Sequence, residues 1–475
     1  MLNYIPKYFT QKAIYIYLAA LLIVSVMFLS KAMDWYWIVL GLIEVVGFFY
    51  YSNQFTRQWS ARSEKKFVKD LFYISLGIRL VWVVFSYFFY ILMTGQPFEF
   101  SVGDAGFYDN MGRFGSNLIA RGNFNFLVEF KRYAGNTLAV SDTGYPIYLS
   151  FIYFITGKSI FLTRIIKAFI GAYTVILIYR LTTRNFGEST GRVAAVFAML
   201  MPNLIYYTGL HLKETEMVFL TVAFIERADY AMRSVKFSFS NLILPVLIAG
   251  VLFFFRTVLG ATALFAFITA LAFSSMKTMK KGGRRALLIG WVLLTIAYFM
   301  GGAIANEVEE VWTSRVGNQE TSLEWRAKRE GGNVLAKYAS KSVFAPMIFV
   351  IPFPTMVDVP GQENQQLIHG GNYVKNIIAF FAMFALFMLI VEKKWRDHLL
   401  IISFTGGYLI VVAMSAFAQS ERFHQPALPF LLILAAVGVS KQTNKTKKFY
   451  TWYLAFIFVA IVGWSWFKLA GRGMA

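Results

Sequence analysis

Residues 71–94 read LFYISLGIRLVWVVFSYFFYILMT, an apolar and aromatic block interrupted by one charge, Arg79. As a helix rising 1.5 Å per residue, the block would be about 36 Å long, enough to cross the roughly 30 Å hydrocarbon core of a bilayer. Blocks of about 17 to 24 residues of this kind recur along nearly the whole chain, so residues 71–94 are typical rather than exceptional.

The composition agrees with that reading. Of 475 residues, 57% are hydrophobic, 18% aromatic and only 15% charged, and the mean hydropathy is +0.55. So few charges cannot cover a water-facing surface, which excludes a soluble enzyme. An outer-membrane barrel is excluded too, because its strands would be about ten residues of alternating polarity. The chain therefore reads as an all-α polytopic membrane protein. The formal charge of +21 would suggest nucleic acid in a soluble protein; here it reads as topology-setting Lys and Arg at cytoplasmic helix ends. There is no cysteine, hence no disulfide, thiolate metal site or cysteine nucleophile. The first apolar stretch, Ala13 to Ser30, lacks a small-residue cleavage site and reads as an anchor.

Thirteen spans are predicted, at 13–30, 35–51, 71–94, 161–180, 192–210, 214–230, 241–257, 258–274, 286–305, 375–391, 398–417, 423–440 and 449–469. Tyr145 to Thr156 and Val343 to Pro354 are about 12 residues each and read as amphipathic, interfacial or re-entrant pieces. Parity supports this division. With Tyr145 to Thr156 not crossing, KTMKKGGRR (277–285), EKKWR (392–396) and KQTNKTKK (441–448) share one side with 57–69, 180–192 and 227–240. That side is cytoplasmic by the positive-inside bias. Lys158, Arg164 and Lys167 then oppose the trend. The N-terminus lies inside and the C-terminus outside.

Three regions follow. Residues 1–70 hold two N-terminal spans and a basic cytoplasmic loop; 71–274 form a transmembrane core with an external loop at 95–143; 275–475 carry the remaining spans and an external loop at 306–374. Function is expected at the two long loops and the short connections beside them. No internal repeat of 20 to 50 residues is evident, which weakens a secondary transporter.

Asp104, in SVGDAGFYDN (101–110), follows the third span by about ten residues. A carboxylate just above the membrane plane can serve as a general base or help ligate a divalent cation; it can equally be a helix N-cap. Asp109 reads as a solvated helix residue. The connection MPNLIYYTGLHLKETEMVFL (201–220) puts His211, Lys213, Glu214 and Glu216 on the same outer surface. Lys213 can meet a lipid phosphate while Glu214 or Glu216 caps the next helix, or the group can be a polar hairpin of mutually neutralising charges. Arg256 in FFFRTVLG (253–260), and Glu421, Arg422 and His424 in AQSERFHQPALPF (418–430), also fall at outer helix ends. One such arginine would ordinarily snorkel to headgroups. Two arginines and a lysine from three connections on the less basic face suggest a phosphate site. The four histidines show no zinc spacing, and no Walker loop or dinucleotide fingerprint is present. The intramembrane charges Glu44 and Arg79 read as bundle pairs.

These pieces, in order, resemble the GT-C superfamily of polytopic glycosyltransferases, the group that includes lipid A aminoarabinose transferases and protein O-mannosyltransferases. The resemblance covers roughly residues 71–270 and, more thinly, 375–440. It rests on a span followed by an external loop with an early acidic residue, Asp104, then on TGYPIYLSFIYFITGKS (143–159), with its proline beside Tyr145. RIIKAFIGAYTVILIYRLTTRNFGESTGRVAAVFAMLMPNLIYYT (164–208) and ERFHQPALPFLLILAA (421–436) complete it. It implies an inverting transferase in a bacterial-type cytoplasmic membrane. A sugar would pass from a polyprenyl-phosphate donor to a glycan, lipid or protein acceptor at the external face. Asp104 would be the base, and Lys213, Arg256 and Arg422 would hold the phosphate. Asp109, Glu214, Tyr145 and His424 would support them. No cofactor is implied beyond a possible divalent cation, and membrane lipids are the other partners. The paired acidic motif of the mannosyltransferases is missing, since Ala105 follows Asp104, and TGYP replaces a double proline. Two spans also precede the similar part.

Two other functions fit many spans with external arginines. An O-antigen-type polymerase or ligase would place its key residues mostly within 306–374. A lipid-linked sugar flippase or other transporter would carry polar residues at mid-membrane depth.

Overall fold

An apolar segment in lipid has no water to satisfy its backbone, so each block closes its own N–H and C=O groups by coiling into a helix. The computed structural model describes residues 3–275 and 345–470, apart from 101, 136–137, 235–239 and 416–417, together with 288, 290 and 474. The described residues are helical with no strand. Seven segments are long and apolar enough to cross a membrane: Lys7–Met27 (α1), Trp35–Gln58 (α2), Glu64–Thr94 (α3), Ile160–Phe186, His369–Val391, Trp395–Ala413 and Asn444–Ala470. The chain is thus a multi-pass all-α membrane protein. Leu92 is 84% and Val81 72% exposed, a waste of apolar area against water but favourable against lipid.

The other elements explain why fewer segments reach full length than the sequence suggests. After α3 come Gly103–Ala120 (α4), Phe126–Ala134 (α5), Gly144–Thr156 (α6) and Ile160–Phe186 (α7). The expected span at 192–210 is broken into Glu188–Leu200 (α8) and Pro202–Tyr206 (α9). Pro202 lacks the N–H needed to continue α8, so it starts a new helix instead. Glu214–Arg233 (α10) is long enough but carries four buried acidic residues, Glu214, Glu216, Glu226 and Asp229. Ser240–Phe255 (α11) and Thr257–Phe273 (α12) are separated only by Arg256, whose backbone is extended. Glu363–Leu367 (α13) leads into His369–Val391 (α14), then Leu399–Ala413 (α15), Glu421–His424 (α16), Leu428–Ser440 (α17) and Asn444–Ala470 (α18). The expected span at 286–305, the basic run 277–285 and the loop segment 306–344 lie outside the described residues.

The two N-terminal helices are built into the bundle. Tyr450 of α18 donates to the Phe9 carbonyl at 3.0 Å and Tyr373 of α14 to that of Ala13 at 2.6 Å. Between α14 and α17 the backbones come so close that a Cβ on Gly438 would lie 2.1 Å from the Phe381 carbonyl oxygen. The 13-residue α6 packs along α4, with Gly112 and Gly115 facing Leu149 and Ser150.

Charged connections segregate to the two ends of the bundle. At one end Arg192 donates to the Trp59 carbonyl at 2.6 Å, Arg233 to Asn185 at 2.6 Å, and Arg184 pairs with Asp229 at 3.1 Å. These are the connections that parity grouped together. Lys167, one of the exceptions to that grouping, is buried at the opposite end. Its ammonium bonds the Leu210 carbonyl at 2.9 Å and lies 3.5 Å from Glu216, so its charge is neutralised internally rather than offered to a headgroup.

Candidate functional site

At the end opposite the basic connections, α4 starts at Gly103 and places Asp104 in its first turn. An acidic residue there suits the positive end of the helix dipole. The cap position belongs to Val102, however, and no side chain caps the helix. The Asp104 carboxylate instead reaches across to accept a hydrogen bond from Arg422 Nη1. Arg422, in α16, uses its Nε to bond Glu214 at the start of α10. Glu214 is fully buried, whereas the Asp104 side chain is 57% exposed. One guanidinium is thus held by an inner, fixed carboxylate and an outer, accessible one.

Lys213 and Arg256 complete the group. The Lys213 ammonium bonds Asp142 at 2.8 Å and lies 5.6 Å from the Tyr108 ring centre. Arg256, at the break between α11 and α12, lies 4.4 Å from the centre of the Phe423 ring. Its Nη1 is buried with no hydrogen-bond partner among the described residues. Asp104, Lys213, Arg256 and Arg422, four residues singled out from the sequence, line one cavity of about 390 Å³ together with Asp142, Tyr108 and Phe423. Three cations there face two carboxylates. Burial works against the charge on Arg422, but Glu214 and then Asp104 outweigh it and hold its pKa above the usual arginine value. Burial lowers the Lys213 pKa, with Asp142 opposing it. Cations in a partly dehydrated pocket, one with an idle donor, are of a chemistry that can bind a small anion such as a phosphate.

The remaining candidate residues lie around this cavity or away from it. Asp109 is not a solvated helix residue: it is buried, accepts from the Tyr153 hydroxyl of α6 and bonds Arg113 Nε at 2.7 Å. The face of α4 that carries it packs on α6, away from the cavity. Tyr145 is fully buried beneath the site, its ring 5.1 Å from that of Tyr108. His424 turns inward, with Nδ1 2.8 Å from Lys375 Nζ and Nε2 2.8 Å from the Ala418 carbonyl. Glu214 does not cap a helix; it anchors Arg422. No three or more His, Asp and Glu side chains among the described residues are grouped to hold a metal ion.

A second cavity, of about 380 Å³, lies on the other side of the Asp104–Arg422 pair. Those two residues are the wall it shares with the first, and its other walls include Glu99, Gln362, Gln365, Tyr206, Tyr207, Leu210, Leu212, Ser420 and Glu421. Glu99 sits in the stretch after α3, only 4% exposed, with Oε2 lacking a hydrogen-bond partner among the described residues. Burial pushes its carboxyl pKa up to about 7, against the pull of Arg164 and Arg422. In the sequence Glu99 is one of several loop acids; nothing local marks it as buried. Asp142, the partner of Lys213, is signalled only by its place just ahead of TGYP.

No protein-family model matches the chain, and neither does any curated protein or solved structure.

Proposed function

We propose that the protein is a glycosyltransferase that moves a sugar from a polyprenyl-phosphate donor to an acceptor hydroxyl at the external face of the cytoplasmic membrane. The observation that carries the reading is the cavity in which Lys213, Arg256 and Arg422, from three separate connections, converge beside the exposed carboxylate of Asp104. The GT-C-like order of motifs supports the sugar chemistry. The gathering of basic connections at the opposite end supports an external position for this end by the positive-inside bias.

The donor phosphate enters the cationic cavity, bonding the idle Arg256 Nη1 and displacing Asp104 from Arg422 and Asp142 from Lys213. Both displaced carboxylates are about half exposed, at 57% and 46%, so water can compensate them, while buried Glu214 keeps Arg422 in place. Asp104, released, accepts the proton of the acceptor hydroxyl as that oxygen bonds the anomeric carbon. The bond from that carbon to the phosphate oxygen breaks, and the electron pair leaves with the polyprenyl phosphate. Lys213, Arg256 and Arg422 stabilise the charge that grows on the leaving group. Incubation of purified protein with a panel of polyprenyl-phosphate sugars, wild type beside Asp104→Asn, tests the reading. Absence of turnover with every donor would argue for a transporter, and undiminished turnover in the variant would remove Asp104 as the base.

A further inference from the structure

The second cavity has a chemistry of its own. Among the described residues that line it the one cation is Arg422, already engaged by Glu214 and Asp104; the Lys468 ammonium lies outside the lining and donates to Gln362 Oε1 at 2.9 Å and Gln365 Oε1 at 3.1 Å. Its walls offer carboxyl groups from Glu99 and Glu421, the carboxamides of Gln362 and Gln365, whose oxygens already accept from Lys468 and whose N–H groups remain, and the Tyr207 ring. Carboxyl and carboxamide groups present paired hydrogen-bonding atoms that suit adjacent hydroxyls, and an aromatic face suits the C–H side of a sugar ring. An anionic guest would meet three carboxylates. The unpaired Oε2 of Glu99, on a side chain 4% exposed, is a buried polar atom that a ligand hydroxyl would satisfy. At about 380 Å³ the space falls in the usual range of small-molecule sites, roughly 300–1,000 Å³.

This cavity adjoins an apolar groove of about 430 Å³ along α2, α3 and α9. Tyr206 lines both, and α13 supplies Gln365 to the polar cavity and Leu367 to the groove. Among the described residues of the groove the one charged group is Glu44, whose carboxylate accepts the Gly371 N–H at the start of α14 at 2.9 Å. Its mouth is open on the lipid-facing side, where Ile43 is 63% and Val81 72% exposed. A polar chamber beside a hydrocarbon slot with a side opening, the two divided by Tyr206, suits an amphiphile that enters from the bilayer.

We infer that the acceptor is a lipid-linked, uncharged sugar, its glycosyl head in the polar cavity against Asp104 and its hydrocarbon tail in the groove of α2, α3 and α9. The inference rests on the transferase reading, in which Asp104 takes the acceptor's proton. It assigns the N-terminal helix α2 a role as a wall of the acceptor's tail site. The donor's phosphate and the acceptor's hydroxyl then approach Asp104 from opposite sides.

The test uses the full chain in phospholipid nanodiscs and an octyl β-glucoside carrying a photoreactive diazirine in its alkyl chain. After irradiation, labelled peptides are located by mass spectrometry. Labelling should concentrate on 40–51 and 78–85 and be competed by octyl β-glucoside but not by farnesyl phosphate. Ser420→Trp, which fills the polar cavity, and Gln365→Ala, which removes a wall carboxamide while Lys468 keeps Gln362 as its partner, should each reduce it about tenfold, the effect of roughly 1.4 kcal/mol. The same probe built on octyl β-glucuronide should label weakly. Labelling spread evenly over lipid-facing helices, or insensitive to both substitutions, would overturn the inference. So would competition by farnesyl phosphate alone, which would make the groove the donor's. In parallel, binding of farnesyl phosphate is compared in wild type and Arg256→Gln. Equal binding in wild type and Arg256→Gln with focused glucoside labelling would strike the donor reading, and Arg256-dependent binding without focused labelling would strike the acceptor site.

Discussion

Arg422 makes two ion pairs of very different depth, and their energetic contributions should differ accordingly. Its Nε bonds Glu214, a fully buried carboxylate; its Nη1 bonds Asp104, whose side chain is 57% exposed. Removing one partner of a buried pair typically costs about 3–5 kcal/mol, because the other charge is left without compensation. Glu214→Gln leaves Arg422 20% exposed and still paired with Asp104, so its cost should lie near the lower bound, about 3 kcal/mol. Arg422→Gln strands the Glu214 carboxylate with no exposure and should cost the upper figure, about 5 kcal/mol. Asp104→Asn disturbs an exposed pair, normally within about 1 kcal/mol. Unfolding of the purified single and double variants in one fixed detergent gives the double-mutant cycles. Coupling of Arg422 to Glu214 should exceed its coupling to Asp104 by about 2 kcal/mol or more. Equal couplings would refute the division into a fixed anchor and an exchangeable partner, and with it the release of Asp104 on phosphate binding.

Arg256→Gln removes the idle phosphate donor and should weaken affinity for a polyprenyl phosphate about tenfold or more, the worth of one charge-assisted hydrogen bond, with little change in thermal stability; titration with farnesyl phosphate reads it. Glu99 has a raised pKa, about 7 against 4.5, so the folded state binds its proton more tightly than the unfolded chain. Its stability is full below pH 4.5 and falls as pH rises toward 7, by at most roughly 3 kcal/mol. Glu99→Gln should therefore raise the unfolding midpoint at pH 8 and leave it nearly unchanged at pH 4.5. Gly438→Ala would place a Cβ 2.1 Å from a backbone oxygen of α14 and should destabilise the bundle by about 1–3 kcal/mol, seen as a lower unfolding midpoint in the same detergent.

The membrane class and the segregation of basic connections were legible because both follow from side-chain chemistry that needs no partner: apolar blocks must leave water, and cationic loops stay on one side. The convergence of Asp104, Lys213, Arg256 and Arg422 on one cavity was legible through parity, which places short connections on a common face whatever their distance in sequence. Pairing was not legible. Nothing in ERFHQP shows that Arg422 faces Glu214, some two hundred residues earlier, while His424, two positions on, turns toward Lys375. Asp109 looked solvated because α4 is polar along much of its length; only the packing of Gly112 and Gly115 on α6 reveals that its face is covered. The span expected at 192–210 was overestimated because hydropathy does not see the break at Pro202, whereas the division beside Arg256 was legible and α10 runs on past the expected 214–230 with four carboxylates inside the bundle.

The decisive measurement is release of polyprenyl phosphate from a polyprenyl-phosphate sugar by the purified chain in the presence of an acceptor, wild type beside Asp104→Asn. The variant should fold with a wild-type unfolding midpoint, bind farnesyl phosphate at least as well as wild type because Arg422 is no longer shared with a carboxylate, and turn over roughly a hundredfold or more slowly. A folded Asp104→Asn protein that releases polyprenyl phosphate at the wild-type rate would contradict the proposed site.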